Sequence, residues 1–419
     1  MDTGEKPMTE DHAMQQGLDE PPVRLAFFGH NRKDAAIVRR ALSFLDAGLD
    51  VTGFMFRRDG EPAHPGPAWK NVDLGMVEHC KHTQRILTLL RALTSIFHNR
   101  RMLRSTDIVY ARNLDMLILA ALGLLFASTR QPRLVYECLD VHEALTRKGI
   151  PARMLRWAER FMLRHSDLLV VSSPGFIREY FVPVQRYKGP HLLIENKLYF
   201  QDVQVERPEP ESVKAKNDHE PLVIGWIGIL RCQKTLDLIK ATAKAEGDKV
   251  HFRFHGLISE FLIPDFLEQI APYANIDYHG PYEWPTGLRE AYKGIDLVWA
   301  QELSWRGHNS DWLLPNRIYE GSYFGALSLA IAGTETGHVV EERKLGYALP
   351  NGSHDSLIQF LRHLDKKELA TRKRALLSRP RSDFVTEGDE IHTLIGQIMD
   401  IDNRYGTHTN HYRQKKPAR

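Results

Sequence analysis

Four short segments collect the residue types that chemistry needs, and each follows an apolar run. Gly228-Ile-Leu-Arg231-Cys-Gln-Lys234 sets a glycine and two cations between the run 222–227 and a helical pattern. A glycine there lets backbone approach a phosphate, a helix amino end adds its dipole, and Arg231 with Lys234 would neutralise a diphosphate. The same spacing also suits a strand-to-helix turn with two solvated cations. In Pro315-Asn316-Arg317-Ile-Tyr-Glu320, Arg317 and Glu320 lie three apart and share a helix face near its amino end. A carboxylate there can accept both hydroxyls of a ribose. The alternative is a surface ion pair worth tenths of a kcal/mol. Glu137, Asp140, His142 and Glu143 follow the run 133–136 and could supply a general base or grip sugar hydroxyls. Helix capping explains them equally well. Gly29-His30-Asn-Arg32-Lys33 could meet an acceptor, or His30 could be a cap or polar filler.

Loops that follow strands are where open parallel sheets bind ligands, and the surrounding pattern supplies such sheets. Apolar runs at 23–29, 51–57, 107–111, 133–136 and 167–172 alternate with helical patterns at 34–47, 114–127 and 151–165. After a polar linker at 200–220 the rhythm restarts, with strands at 222–227, 250–255, 275–279 and 295–299 between helices. The predicted architecture is α/β, with two Rossmann-like parallel-sheet lobes at 23–199 and 221–390. Residues 1–22 and 403–419 read as tails, the first disordered and the second basic, and 391–402 as a terminal helix crossing back to the first lobe.

A chain of 419 residues exceeds one core and fits two domains of roughly 100–200 residues. A net charge of +3 lacks the concentrated positive field of a nucleic-acid binder. Cys80, Cys138 and Cys232 show no C-x-x-C spacing, so neither a disulfide framework nor a cysteine metal site is expected. No G-x-G-x-x-G follows a strand and no Walker motif occurs, which argues against dinucleotide and P-loop chemistry. No signal peptide opens the chain, and the apolar stretch 114–127 is shorter than the ~20 residues a membrane span needs. The expected location is cytoplasmic, peripheral on the inner membrane if either of two basic amphipathic stretches touches it. One lies between Lys81 and Arg104, with Ile86, Leu89, Leu90, Leu93 and Phe97 opposite Lys81, Arg85 and Arg91; the other carries Arg153, Arg156, Arg160 and Arg164. Both could rest on an anionic leaflet or pack on the sheet with a solvated basic face.

In order along the chain, these segments resemble the family 4 glycosyltransferases of the GT-B fold. Gly228-x-Leu230 with Lys234 and then Leu236-Asp-Leu-Ile239 resembles their G-R-L-x-x-x-K-G-x-D-x-L-I segment. PNRIYEGSYFGALSLA is similar to their P-x-K-x-x-E-x-x-A-x-G-x-P-x-x-A, and Tyr278-His-Gly280-Pro-Tyr282, DIVYARNLD and DVHE fall in the family's order. Within the family the likeness is to bacterial exopolysaccharide enzymes of the succinoglycan or capsule type. The resemblance implies an acceptor lobe followed by a donor lobe, a UDP-sugar donor, a saccharide or lipid-linked saccharide acceptor, and no bound metal or other cofactor. It further implies that Gly228, Lys234, Asn316 and Arg317 line the donor site, Glu320 holds the ribose and His142 touches the transferred sugar. Asp140 would be the general base of an inverting reaction; in a retaining one the leaving phosphate would take the acceptor proton. Two positions depart from the pattern. Ile229 stands where the family has Arg, a charge Arg231 could supply, and Trp312, beside Asp311, stands where it has the first acid of its E-x7-E pair. A sugar-nucleotide epimerase, or a silent scaffold of the same fold, is the alternative.

Overall fold

The structure, a computed structural model, describes residues 21–58, 66–77, 82–127, 132–200 and 205–400. Residues 1–20 of the expected first tail, the whole of the second at 403–419, residues 201–204 of the linker, Cys80 and Lys81 lie outside the described residues, as do the side chains of Arg85, Ile86 and Leu89.

The first lobe is a seven-stranded sheet of β1 (Arg24–Gly29), β2 (Asp50–Arg58), β3 (Lys70–Val77), β4 (Ile108–Arg112), β5 (Arg133–Cys138), β6 (Leu168–Val171) and β7 (His191–Leu193). Its spatial order is β3-β2-β1-β4-β5-β6-β7, and every pairing is parallel. The second has six strands, β8 (Leu222–Ile227), β9 (Val250–His255), β10 (Ile276–Tyr278), β11 (Leu297–Trp299), β12 (Leu327–Ile331) and β13 (Gly346–Leu349). They run in the order β10-β9-β8-β11-β12-β13, again all parallel. Helices cover both faces, so the central strands are buried throughout and read as unbroken apolar runs. Strand order reverses between β1 and β4 and between β8 and β11, which opens a crevice at the carboxyl end of each sheet.

Local chemistry fixes the elements that border these crevices. The Asp34 carboxylate accepts from the Ala36 and Ile37 amides at 3.0 and 3.3 Å, starting the helix Ala35–Asp46 directly after the β1 loop. The chain reaches the second lobe by Leu198, Phe200 and Val205, which are buried in that lobe's core. It returns at the end: Ile391, Leu394 and Ile398 of the helix Gly388–Met399 pack with Leu25, Phe27 and Phe44 in the first lobe. Both crossings therefore lie side by side, with Leu198 bridged to Val385.

Candidate active site

On the donor-lobe side three neighbouring strands lead into glycines of positive φ: Gly228 after β8 at +116°, Gly256 after β9 at +135° and Gly280 beyond β10 at +81°. The Gly228 and Gly256 amides donate to the His255 and Gly280 carbonyls at 2.9 Å, tying the three into a ledge. A Cβ on Gly256 would lie 1.6 Å from the Gly228 carbonyl oxygen, whereas Gly228 and Gly280 face open space. The result is bare backbone at the start of the helix Gln233–Glu246, the geometry a phosphate or a flat ring can approach. The His255 and His279 rings stack on this ledge at 4.8 Å, and burial first, then the neighbouring His279, brings the His255 imidazole down to about 4.

Lys234 is exposed at the second position of that helix and makes no hydrogen bond or ion pair among the described residues. Arg231 is also exposed, its Nε 3.5 Å from the buried Glu302 carboxylate. Glu302 in turn lies in the fields of Arg317 and Arg231, which outweigh burial and hold its carboxyl below the usual range. On the helix Asn316–Tyr323, Asn316 accepts from Asn196 of the first lobe at 2.7 Å. Arg317 keeps a buried Nη1 without a partner. Glu320 is only 5% exposed and accepts from the Tyr292 hydroxyl at 3.1 Å. Burial pushes its carboxyl up, with the charge of Arg39 opposing. The surface-pair alternative for Arg317 and Glu320 thus fails, because Glu320 is interior and no ion pair joins the two among the described residues.

Facing these groups, Asp140 stands two residues beyond β5. It keeps open surface, yet both lobes crowd its carboxyl, and lost hydration pushes its pKa up while an Asn309 hydrogen bond and the Arg231 charge oppose. Asn309 belongs to the other lobe: its amide nitrogen donates to Asp140 at 3.1 Å and its oxygen accepts from the Val141 amide at 2.9 Å. His142 is exposed and its Nδ1 accepts from the Ala144 amide at 3.1 Å, leaving Nε2 turned outward.

The other two carboxylates of this segment do other work. Glu137, offered above as a possible base, is fully buried between Arg40 and Arg112, with Oε1 to Arg40 Nη2 at 3.0 Å and Oε2 to Arg112 Nε at 2.6 Å. Its lone pairs hold the lobe together, so it meets no substrate. Glu143 pairs with Arg147 at 2.7 Å on the surface. In the β1 loop, Asp34 rather than His30 caps the helix; His30 Nε2 lies 3.8 Å from Asp34, Arg32 is buried and Lys33 is exposed. Trp312 packs onto the first lobe, its ring centroid 6.4 Å from Tyr180 and its carbonyl accepting from Ser173 at 2.5 Å. Asp311 is taken up by Arg306 and the Gly307 amide.

Sequence reasoning missed Arg39, Glu302 and Asn309. Glu302 lies in the loop after β11, a strand end that the same search rule covers, and Asn309 opens the short helix Asn309–Trp312 that follows that loop; Arg39 sits inside a helix and gave no such signal.

The basic helix Ile150–Leu163 also departs from expectation. Arg156 donates to the Leu145 and Arg147 carbonyls at 2.7 and 3.0 Å, and Arg160 to Val184 and Gln185 at 2.7 and 3.0 Å, so both fasten the helix to the lobe. Only Arg153 and Arg164 of the four are exposed. What faces outward is an apolar stripe: Ile150, Met154, Trp157 and Phe161 are 71, 66, 66 and 48% exposed. No helix of the described residues is long and apolar enough to cross a membrane. A cavity of about 660 Å³ near the crossings is lined by Glu195, Lys197, Arg343 and Arg379, but each of these charges is already paired, with Arg343, Glu390, Glu195 and Asp383 respectively.

No family model matches the sequence. The chain is 35% identical over 341 residues to the succinoglycan biosynthesis protein ExoL of Rhizobium meliloti (strain 1021), a match spanning 81% of this chain and 84% of that protein. Among solved structures it is similar to sucrose-phosphate synthase of Thermosynechococcus elongatus, with a TM-score of 0.66, 13% identity and 90% and 99% of the two chains covered. It is also similar to HepE of Anabaena in complex with UDP and glucose, at a TM-score of 0.60, 14% identity and the same coverage. At such identities these two likenesses establish the fold.

Proposed function

The chain is a GT-B glycosyltransferase of the family that includes the succinoglycan biosynthesis protein ExoL, and from that premise we propose that it transfers a sugar from a UDP-sugar to a lipid-linked saccharide at an anionic membrane surface. The observation that carries this reading is the junction at Asp140. A carboxylate of one lobe is hydrogen-bonded to Asn309 of the other, within the field of Arg231, at the carboxyl ends of both sheets. Departure of a nucleoside diphosphate develops negative charge, and Arg231, Lys234 and Arg317 offer cations for it without a metal. The bare backbone at Gly228 lets the diphosphate approach the start of the helix Gln233–Glu246. Glu320 accepts the ribose hydroxyls, and Asn316, held by Asn196 of the first lobe, lies at the start of the same helix. His142 Nε2 meets the transferred sugar. Asp140, its affinity for protons raised by its enclosure, takes the acceptor proton if configuration inverts. The apolar stripe of the helix Ile150–Leu163, flanked by Arg153 and Arg164, suits the boundary of an anionic leaflet, where a lipid carrier would present its saccharide.

The test is calorimetric titration with uridine, UDP and UDP-hexoses, followed by transfer of labelled hexose to a lipid extract. Tight binding of UDP over uridine, with label recovered in the lipid phase, is the expected result. Conversion of the sugar nucleotide with no acceptor present would indicate an epimerase, and absence of diphosphate binding would overturn the reading.

A further inference from the structure

The helix Ala35–Asp46 carries two adjacent arginines with different surroundings. Arg40 is matched by the Glu137 carboxylate. Arg39 is not: it is 4% exposed, and its Nε, Nη1 and Nη2 all lack a hydrogen-bond partner among the described residues. Burial lowers the affinity of its guanidinium for the proton, with Glu320 and Asp34 as the nearest compensating charges. A buried cation with unsatisfied donors is costly to the fold, and such a group calls for a partner, which an ion, a water or a ligand can supply.

What it faces lies on the other lobe. Glu320 Oε1 is 3.9 Å from Arg39 Nη1, and the Trp284 ring lies 5.6 Å from the guanidinium carbon. Glu320 accepts only the Tyr292 hydroxyl, so lone pairs remain on its carboxylate. A separation of 3.9 Å is too long for a direct hydrogen bond. It fits one oxygen set to the side of the line, because two bonds of about 2.8 Å spanning that gap meet at roughly 90°. That oxygen must accept from the guanidinium and donate to the carboxylate. A hydroxyl or a water molecule does both, and only a ligand hydroxyl would make binding depend on the sugar; a phosphate or carbonyl oxygen cannot donate.

The geometry points to Arg39 as a ribose-reading residue supplied by the opposite lobe, with one donor hydroxyl accepting from Arg39 and donating to Glu320. This rests on the assignment of Glu320 to the donor ribose made above. Two consequences follow. A deoxy nucleotide lacking that hydroxyl leaves two buried charged groups uncompleted, which is the arrangement that gives strong rejection. And because the two partners come from different lobes, the ribose is read only when the lobes are together, so recognition and closure are one event.

Wild type, Arg39→Met, Arg39→Lys and Glu320→Gln are titrated with UDP, 2′-deoxy-UDP and 3′-deoxy-UDP, and each free protein is unfolded in urea. Wild type should prefer UDP over one deoxy form by tenfold or more. Arg39→Met should lose most of that preference, whatever its stability, because the change removes one buried charge and leaves Glu320 without the charge that opposes its burial. A residue that only held the lobes would instead leave the preference untouched. Should the methionine variant not fold, Arg39→Lys decides: it keeps the charge but lacks the planar fork, and it should also lose most of the preference. Full wild-type preference in either folded variant, alongside its loss in Glu320→Gln, overturns the role of Arg39 and leaves Glu320 standing. No preference in wild type overturns the ribose assignment of Glu320 itself, and this inference with it.

Discussion

Replacing Trp157 and Phe161 together by alanine should detach the protein from anionic vesicles without disturbing its fold. Fully burying a large apolar side chain is worth roughly 1.5–3 kcal/mol. Trp157 and Phe161 are 66 and 48% exposed, so that fraction of each is still available to a membrane. Taking the upper end for aromatic rings gives about 2 kcal/mol for Trp157 and about 1.5 for Phe161. Together they bound the loss near 3.5 kcal/mol, a drop of up to a few hundredfold in partitioning. Neutralising Arg153 and Arg164, each worth about 1 kcal/mol near an anionic surface, should cost only about fivefold apiece and only at low salt. The assay is sedimentation with vesicles containing phosphatidylglycerol, with Phe261→Ala as control, because that ring is 83% exposed on the other lobe. Arg156 and Arg160 are unsuitable targets, since their replacement strips hydrogen bonds from four backbone carbonyls and reports on folding. If the double alanine variant binds as wild type does, or if Phe261→Ala loses as much, the stripe is not the membrane face.

Lys234→Ala removes an exposed cation that has no partner among the described residues and should weaken UDP by about ten- to a hundredfold, at roughly 1.5–3 kcal/mol for a charged contact, while uridine binding is unchanged; equal losses in calorimetry would remove it from the phosphate. Asn309→Ala takes away the hydrogen bond that holds the Asp140 pKa down. A base must be ionised to act, so the acid limb of kcat/KM should move to higher pH; a limb that stays or moves down would show that Asp140 is not the titrating base. Gly256→Ala would drive a methyl group into the Gly228 carbonyl at a φ of +135°, and should cost about 1–3 kcal/mol or more in urea unfolding; an unchanged midpoint would mean the ledge yields easily.

The sequence revealed what each lobe builds alone and little of what the two build together. Central strands such as β4, β8 and β11 were visible because burial on both faces leaves an unbroken apolar run. The edge strand β3, Lys70–Val77, was not, for its polar residues break that run. β13, Gly346–Leu349, is only four residues long. The strand-end rule singled out Lys234 and Asp140, and also Glu320, whose helix follows the helix Asn309–Trp312 rather than a strand; acids three apart received the same reading. Strand geometry separates them: Glu137 is still in β5 and points into the lobe, whereas Asp140 has left the sheet for the cleft. The pairings Arg39 with Glu320, Asp140 with Asn309 and Ser173 with Trp312 join residues more than a hundred positions apart, and no local period encodes them.

The helix Ile150–Leu163 states the limit most sharply, because it has two apolar faces. Ile150, Met154, Trp157 and Phe161 recur at helical spacing and would pass for a core stripe. The face that actually packs is Ala152, Met162 and Leu163 together with a carboxylate, Glu159. That carboxylate is buried because it accepts from the Tyr136 hydroxyl at 2.9 Å and from Gln185 at 2.5 Å. An acid with waiting donors, together with Arg156 and Arg160 bonded to backbone, fixes which side turns inward. The more apolar side, Trp157 included, is thereby left exposed. Periodicity measures how apolar a face is, whereas specific hydrogen bonds decided which face the lobe kept, and the face it gave up is the one that the vesicle experiment interrogates.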